Sequence, residues 1–257
     1  MKYNKFFLTL LAFLSLSFIH FNPKPVLYII GDSTVKNSDG TGKNGQWGWG
    51  TVIDLQFDTS RISILNHAIG GRSSRTFITD GRWDKILETI QKGDYVIMQF
   101  GHNDGGTLDD TSRARGTIKG IGEDSVEIYN PIRKLRETVH SYGWYMRKYV
   151  NETKAKGAIP VICSLVPRDN RKEGKIIRSE YAIWARQVAE QTGTFFIDLQ
   201  EMVAMEYEKM DTVKVNAFFP ADRTHTNKEG ALLNATQVTA GIRQLQKCKL
   251  KDYLLKN

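Results

Sequence analysis

The chain has 257 residues, of which 40% are apolar and 25% charged, and a formal net charge of +8. That balance excludes an intrinsically disordered chain, and the length suffices to bury a sizeable core. The positive charge would suit nucleic acid or an acidic polysaccharide, but no basic helix or nucleic-acid motif accompanies it, so no nucleic-acid partner is expected.

Reading from the N-terminus, Lys2 and Lys5 precede the apolar run Phe6–Leu14, and Ser15-Leu16-Ser17 offers small residues for cleavage. This anatomy predicts a secretory signal peptide over residues 1–17 and one domain over residues 18–257. The run is short of the roughly 20 residues of a spanning helix. The alternative is an N-terminal anchor. Export to a periplasm or the exterior follows, with no stable membrane insertion after cleavage. The two cysteines, Cys163 in an apolar run and Cys248 in a basic tail, are not expected to pair.

Apolar runs then alternate with helix-like segments. Strands are predicted at Val26–Ile30, Ile62–Asn66, Tyr95–Phe100, Ile159–Leu165 and Thr194–Leu199. Helices are predicted at Arg82–Ile90, His140–Lys156, Arg178–Gln191 and Asn227–Gln246. Thr226 and Glu229 stand at capping-box spacing before the last of these, and Gly157 and Gly193 are placed to stop the second and third. Five strands separated by helices argue for an α/β fold with a parallel sheet covered on both faces. The segment from His102 to Arg136 is polar, basic and Gly-rich, without a clear period. It reads either as a functional loop over the site or as a surface excursion.

The first strand runs directly into Gly31-Asp32-Ser33-Thr34, which places a small hydroxyl at the carboxyl edge of the sheet, where ligands collect in open α/β folds. Ser33 is the candidate nucleophile, and it needs a base to take its proton. His225 is the candidate base. Asp222, three residues earlier, can orient the imidazole and stabilise its charged form. Gly71 and Asn103 follow later strands at the same edge. Together with the Ser33 N–H they are candidate donors to an oxyanion. Taken singly, Asp222-x-x-His225 also fits a surface turn, Gly70-Gly71 a tight turn, and Asn103 a turn cap.

The blocks Gly31-Asp32-Ser33, Gly71, Gly101-His102-Asn103-Asp104 and Asp222-Arg223-Thr224-His225 resemble the four signature blocks of the SGNH (GDSL-type) hydrolases. The resemblance spans nearly the whole chain after the leader. It implies a flavodoxin-like three-layer α/β/α sandwich with a five-stranded parallel sheet, esterase chemistry, and no metal or other cofactor. It assigns Ser33, Asp222 and His225 as a triad and Ser33, Gly71 and Asn103 as the oxyanion hole. More narrowly, Gly45-Gln46-Trp47-Gly48-Trp49-Gly50, the stretch Ala68–Phe77 and the stretch Phe100–Gly106 resemble rhamnogalacturonan acetylesterases. An exported esterase that deacetylates pectic rhamnogalacturonan is therefore expected, its partner an acetylated polysaccharide or oligosaccharide. The alternatives are another acetylated glycan such as xylan, a lipid or thioester substrate, or a silent carbohydrate-binding protein on the same fold.

Trp47 and Trp49 either stack on a sugar ring or pack in the core. Arg72, Arg75, Arg168 and Arg171 either hold substrate carboxylates or fix loops. His102 is a candidate substrate contact. Gly40–Gly45 satisfies G-x-G-x-x-G but follows no strand, so it reads as a glycine-rich loop. Neither G-x-S-x-G nor H-E-x-x-H occurs, which argues against an α/β-hydrolase elbow and a zincin.

Overall fold

The computed structural model describes residues 24–256. The expected leader over residues 1–17 lies outside the described residues. Five parallel strands form the central sheet: β1 (Val26–Gly31), β2 (Ser63–Asn66), β3 (Tyr95–Gln99), β6 (Ile159–Cys163) and β9 (Phe195–Ile197), in the spatial order β2-β1-β3-β6-β9. This is the flavodoxin-like order, whose direction of winding reverses beside β1 and β3.

Alternation along each strand explains the three layers. Leu27 and Ile29 face one core, with Ile97, Val161 and Ile197, against helices α5 (Leu199–Lys209) and α7 (Lys228–Gln244). Tyr28 and Ile30 face the other, with Val96, Met98 and Ile162. That face packs against α1 (Ser74–Thr79), α2 (Arg82–Thr89), α3 (Tyr142–Ala155) and α4 (Glu180–Thr192). A strand buried on both faces carries a continuous apolar run, which is why β1 and β3 are so plain in the sequence.

Several boundaries differ from expectation, each for a local reason. Asn227, not Thr226, caps α7: its side chain accepts from the Gly230 N–H at 2.9 Å, while the Thr226 hydroxyl donates to the Trp47 carbonyl at 3.2 Å. The last strand ends at Ile197 because Asp198 caps α5, and Leu199 opens that helix. Helix α3 begins at Tyr142, capped by Ser141, because His140 ends a strand. Gly193 closes α4 in a left-handed conformation with φ 58°.

The segment from His102 to Arg136 is a built wall. It contains a hairpin, β4 (Ser125–Asn130) against β5 (Leu135–His140). Arg75 ties this wall to the body. Its Nη1 donates to the carbonyls of Leu108 (2.9 Å) and Gly116 (2.7 Å), and its Nε donates to Glu137 Oε1 on β5 (2.6 Å). Short pairs, β7 (Arg171–Lys172) with β8 (Lys175–Ile176), and the helix α6 (Thr212–Asn216) complete the chain. Cys163 and Cys248 are both free and buried. Among the described residues no helix is long and apolar enough to cross a membrane.

Candidate active site

Ser33 sits two residues beyond the end of β1, on a turn whose geometry is locked from within. Asp32 Oδ1 accepts from the backbone N–H (2.9 Å) and hydroxyl (2.8 Å) of Thr34. Gln99, the last residue of β3, donates to the Thr34 hydroxyl at 2.7 Å. Trp49 Nε1 donates to Gln99 Oε1 at 2.8 Å. The buried relay Trp49–Gln99–Thr34–Asp32 therefore satisfies the Gln99 amide, the Thr34 hydroxyl and Asp32 Oδ1 in a low-dielectric interior, while Asp32 Oδ2 finds no partner among the described residues. Gly48 is required beside it: a Cβ there would lie 2.3 Å from the Val35 carbonyl carbon.

The second component comes from the loop before α7. Asp222 Oδ1 accepts from the N–H groups of Thr224 (2.6 Å) and His225 (2.8 Å), and its Oδ2 lies 2.7 Å from His225 Nδ1. His225 Nε2 lies 2.8 Å from Ser33 Oγ. Partial burial raises the Asp222 pKa, but the hydrogen bonds from the His225 ring and the two N–H groups outweigh it and hold the carboxyl down at about 2. The carboxylate is thus charged at neutral pH and fixes the imidazole tautomer with Nε2 facing the serine. Trp47 braces this loop: its N–H donates to the Thr226 carbonyl at 2.7 Å, and the Lys228 ammonium lies 5.3 Å from its ring centre.

Candidate donors line the same cleft as His225. Gly70 follows β2 and abuts Ser33, and Gly71 takes φ +78°, a conformation costly for any residue with a Cβ. The N–H groups of Ser33 and Gly71 donate to no acceptor among the described residues. Asn103, buried after β3, donates one amide hydrogen to the Arg72 carbonyl at 2.9 Å, which leaves its second hydrogen free. Asp104 anchors this block to α1 by accepting from the N–H (3.0 Å) and hydroxyl (2.5 Å) of Ser74. Burial pushes the Asp104 carboxyl up to about 7 against the pull of those bonds.

Ser33, Gly71, Asn103, His102, Arg72, Arg168 and His225 all line one cleft of about 660 Å³. Burial pushes His102 down to about 4, with Arg168 and His225 adding to that and Asp32 opposing it, so the ring is neutral at neutral pH. Arg72 pairs with Asp80 at 2.7 Å on the cleft wall. Four candidate substrate contacts are corrected. Trp49 is fully buried, committed to Gln99 beneath Ser33. Arg75 is fully buried too, committed to Glu137 and to loop carbonyls. Trp47 does not line the cleft, and its ring packs beneath Gly42. Arg171 is likewise elsewhere, bound to Asp169 and the Tyr207 carbonyl. The cleft residues that sequence reasoning missed include Thr76 in α1 and Asp80 just past it and, from the 102–136 segment, Arg113, Arg115, Ile132 and Arg133. Among the described residues no three His, Cys, Asp or Glu side chains converge as metal ligands.

Comparison with known proteins shows the family of the chain. The chain is 33% identical over 224 residues to the rhamnogalacturonan acetylesterase of Emericella nidulans, covering 86% of each. It is 30% identical over 227 residues to a probable rhamnogalacturonan acetylesterase of Bacillus subtilis, covering 85% of this chain and 93% of the relative. A crystal structure of an acetylxylan esterase from Geobacillus stearothermophilus shares the fold with a TM-score of 0.57 at 17% identity, covering 86% of this chain and 95% of that one. A Bacillus subtilis protein of known structure, YXIM, superposes with a TM-score of 0.69 at 23% identity; the match covers 86% of this chain but 57% of that longer one. The sequence pattern of the GDSL-like lipase/acylhydrolases matches residues 29–233, and the chain belongs to that family of ester hydrolases.

Proposed function

We propose that this protein is an exported serine esterase that removes O-acetyl groups from pectic rhamnogalacturonan. The observation that carries the reading is the continuous Ser33–His225–Asp222 array, with separations of 2.8 and 2.7 Å, at the foot of an arginine-lined cleft. In this reading Ser33 Oγ attacks the acetyl carbonyl while His225 Nε2 takes its proton. The negative charge that develops on the carbonyl oxygen is received by the N–H groups of Ser33 and Gly71 and the free amide hydrogen of Asn103. His225 then returns the proton to the departing sugar oxygen. Water, deprotonated by His225, attacks the acetyl-enzyme, and acetate leaves with Ser33 regenerated. Asp222 stays ionised throughout and stabilises the imidazolium at each proton transfer.

The size and charge of the cleft support a polymeric, acidic substrate. A second pocket of about 510 Å³ shares His102 and Arg168 with the first, so there is room for more than one sugar ring. Two relatives carry the name rhamnogalacturonan acetylesterase, one of them as probable, and in this reading residues 1–17 are the leader that carries the enzyme to its substrate. The test is acetate release by the purified chain from acetylated rhamnogalacturonan and from acetylated xylan, with Ser33→Ala alongside. Release from the pectic substrate, lost in the variant, is expected. Release mainly from xylan would move the substrate, and glycan binding without any release would replace the enzyme by a silent binder.

A further inference from the structure

Five arginines line the cleft around Ser33: Arg72, Arg113, Arg115, Arg133 and Arg168. They are not equivalent. Arg72 is neutralised by Asp80 at 2.7 Å, and Arg133 by Glu137 at 2.9 Å. Arg113, Arg115 and Arg168 take part in no ion pair among the described residues, and Arg168 is turned to the His102 carbonyl at 3.5 Å. Arg115 is half-buried and makes a single side-chain hydrogen bond, from Nη1 to the Gly71 carbonyl at 3.3 Å. A guanidinium carries five N–H donors in a rigid fork, so most of this one is uncommitted. Burial disfavours its charge and the adjacent Arg113 disfavours it further, while the carboxylates of Asp110, Asp104 and Asp32 partly offset both.

Position makes this unpaired charge informative. Gly70 abuts Ser33, and a Cβ on Gly71 would lie 3.8 Å from Arg115 Nη1. The Gly70–Gly71 backbone thus borders Ser33 on one side and Arg115 on the other, and all four residues line the same cleft. An anion bound there would belong to the same molecule as the ester under attack. A carboxylate fits the fork through two parallel hydrogen bonds and offsets the repulsion between the two arginines.

We propose that Arg115, with Arg113 beside it, forms a carboxylate subsite at the edge of the cleft that selects acetylated glycans bearing uronate residues over neutral ones. The inference deepens the function proposed above and rests on it. Asp110 fixes the turn that carries Arg113 and leads into Arg115 by accepting from the backbone N–H groups of Ser112 (3.0 Å), Arg113 (2.7 Å) and Ala114 (2.9 Å).

The test compares wild type with Arg115→Gln and Arg115→Lys on acetylated galacturonate-containing oligosaccharides and on acetylated xylo-oligosaccharides, at low and high sodium chloride. Thermal unfolding of each variant checks folding. The acidic-to-neutral ratio of kcat/KM should fall about tenfold or more in Arg115→Gln, mainly through KM, as expected for losing a charge-assisted pair. The salt dependence of KM should flatten, and Arg115→Lys should keep part of the ratio. Equal loss on both substrates, through kcat, would overturn the subsite and leave Arg115 as a strut for Gly71. Calorimetric binding of deacetylated galacturonate oligosaccharides to Ser33→Ala, with and without Arg115→Gln, separates the two readings. Weaker binding in the double variant supports the subsite even if no glycan is deacetylated, in which case the proposed function fails alone. Unchanged binding overturns the subsite.

Discussion

Trp49 and Gln99, fifty residues apart, share a 2.8 Å hydrogen bond in the core beneath the Ser33 turn. Gln99 passes the constraint on to Thr34 at 2.7 Å, and Thr34 to Asp32 at 2.8 Å. A tryptophan that looks like a sugar platform in the sequence therefore serves to hold the nucleophile's turn. Trp49→Phe keeps most of the ring volume but orphans Gln99 Oε1, at a cost of about 1–3 kcal/mol. Chemical denaturation should show that loss, and kcat should fall while KM for a small aryl acetate stays near wild type.

Gly71→Ala places a Cβ on a residue at φ +78°. The new Cβ would meet only Arg115 Nη1, at an ordinary contact distance of 3.8 Å, so the strain is conformational, and relief of it rotates the Gly71 N–H away from the oxyanion position. The expected result is a loss of about 10²-fold in kcat, the scale of a lost oxyanion donor. Steady-state kinetics would read it, and a change confined to KM would point to substrate binding instead.

Asp222→Asn preserves an acceptor for the Thr224 and His225 N–H groups but removes the charge facing His225 Nδ1. The turn should survive, with a near-native melting temperature. The imidazolium loses its counter-charge and the ring its preferred tautomer, so kcat should drop by about 10³–10⁴-fold.

Arg75 and Glu137 form a buried ion pair between α1 and β5. Arg75→Leu leaves the Glu137 charge supported by Arg133 and by Asn130 alone. Removing one partner of such a pair costs about 3–5 kcal/mol. Calorimetric unfolding checks the loss, and limited proteolysis should cut first within the 102–140 wall.

Stability against pH carries two opposing slopes. Asp104 is raised from 3.8 to about 7, so its folded state holds the proton longer, and its contribution is lost as pH rises from about 4 to 7. His102 is lowered from 6.5 to about 4, so its contribution is present above 6.5 and lost as pH falls toward 4. Asp104→Asn removes the first slope. Urea unfolding from pH 4 to 6.5 should then show stability rising with pH more steeply than in wild type.

The sheet was legible because its central strands are buried on both faces and read as unbroken apolar runs, as in Leu27–Ile30. The ends of those strands carry Ser33, Gly71 and Asn103, and the topology alone brings them to one edge. Hairpin β4–β5 was not legible: Ser125, Val126, Glu127 and Tyr129 are all exposed, so no inside–outside alternation marks it. What holds it is Arg75, sixty-two residues from Glu137 in sequence. The same distance problem hid the fates of Trp49 and Arg75. Whether a long polar side chain turns inward depends on a partner such as Gln99 or Glu137, which local pattern does not reveal. Arg113 and Arg115 sit in the segment with no period, so nothing local distinguished them from solvated charges.

The most direct test of the central claim is rapid acid quench of the enzyme turning over an acetylated rhamnogalacturonan oligosaccharide, followed by peptide mass mapping. The account predicts an acetyl adduct on the peptide bearing Gly31-Asp32-Ser33-Thr34, located on Ser33 and absent from Ser33→Ala. Steady acetate release with no adduct on Ser33, or with an undiminished rate in Ser33→Ala, would contradict it.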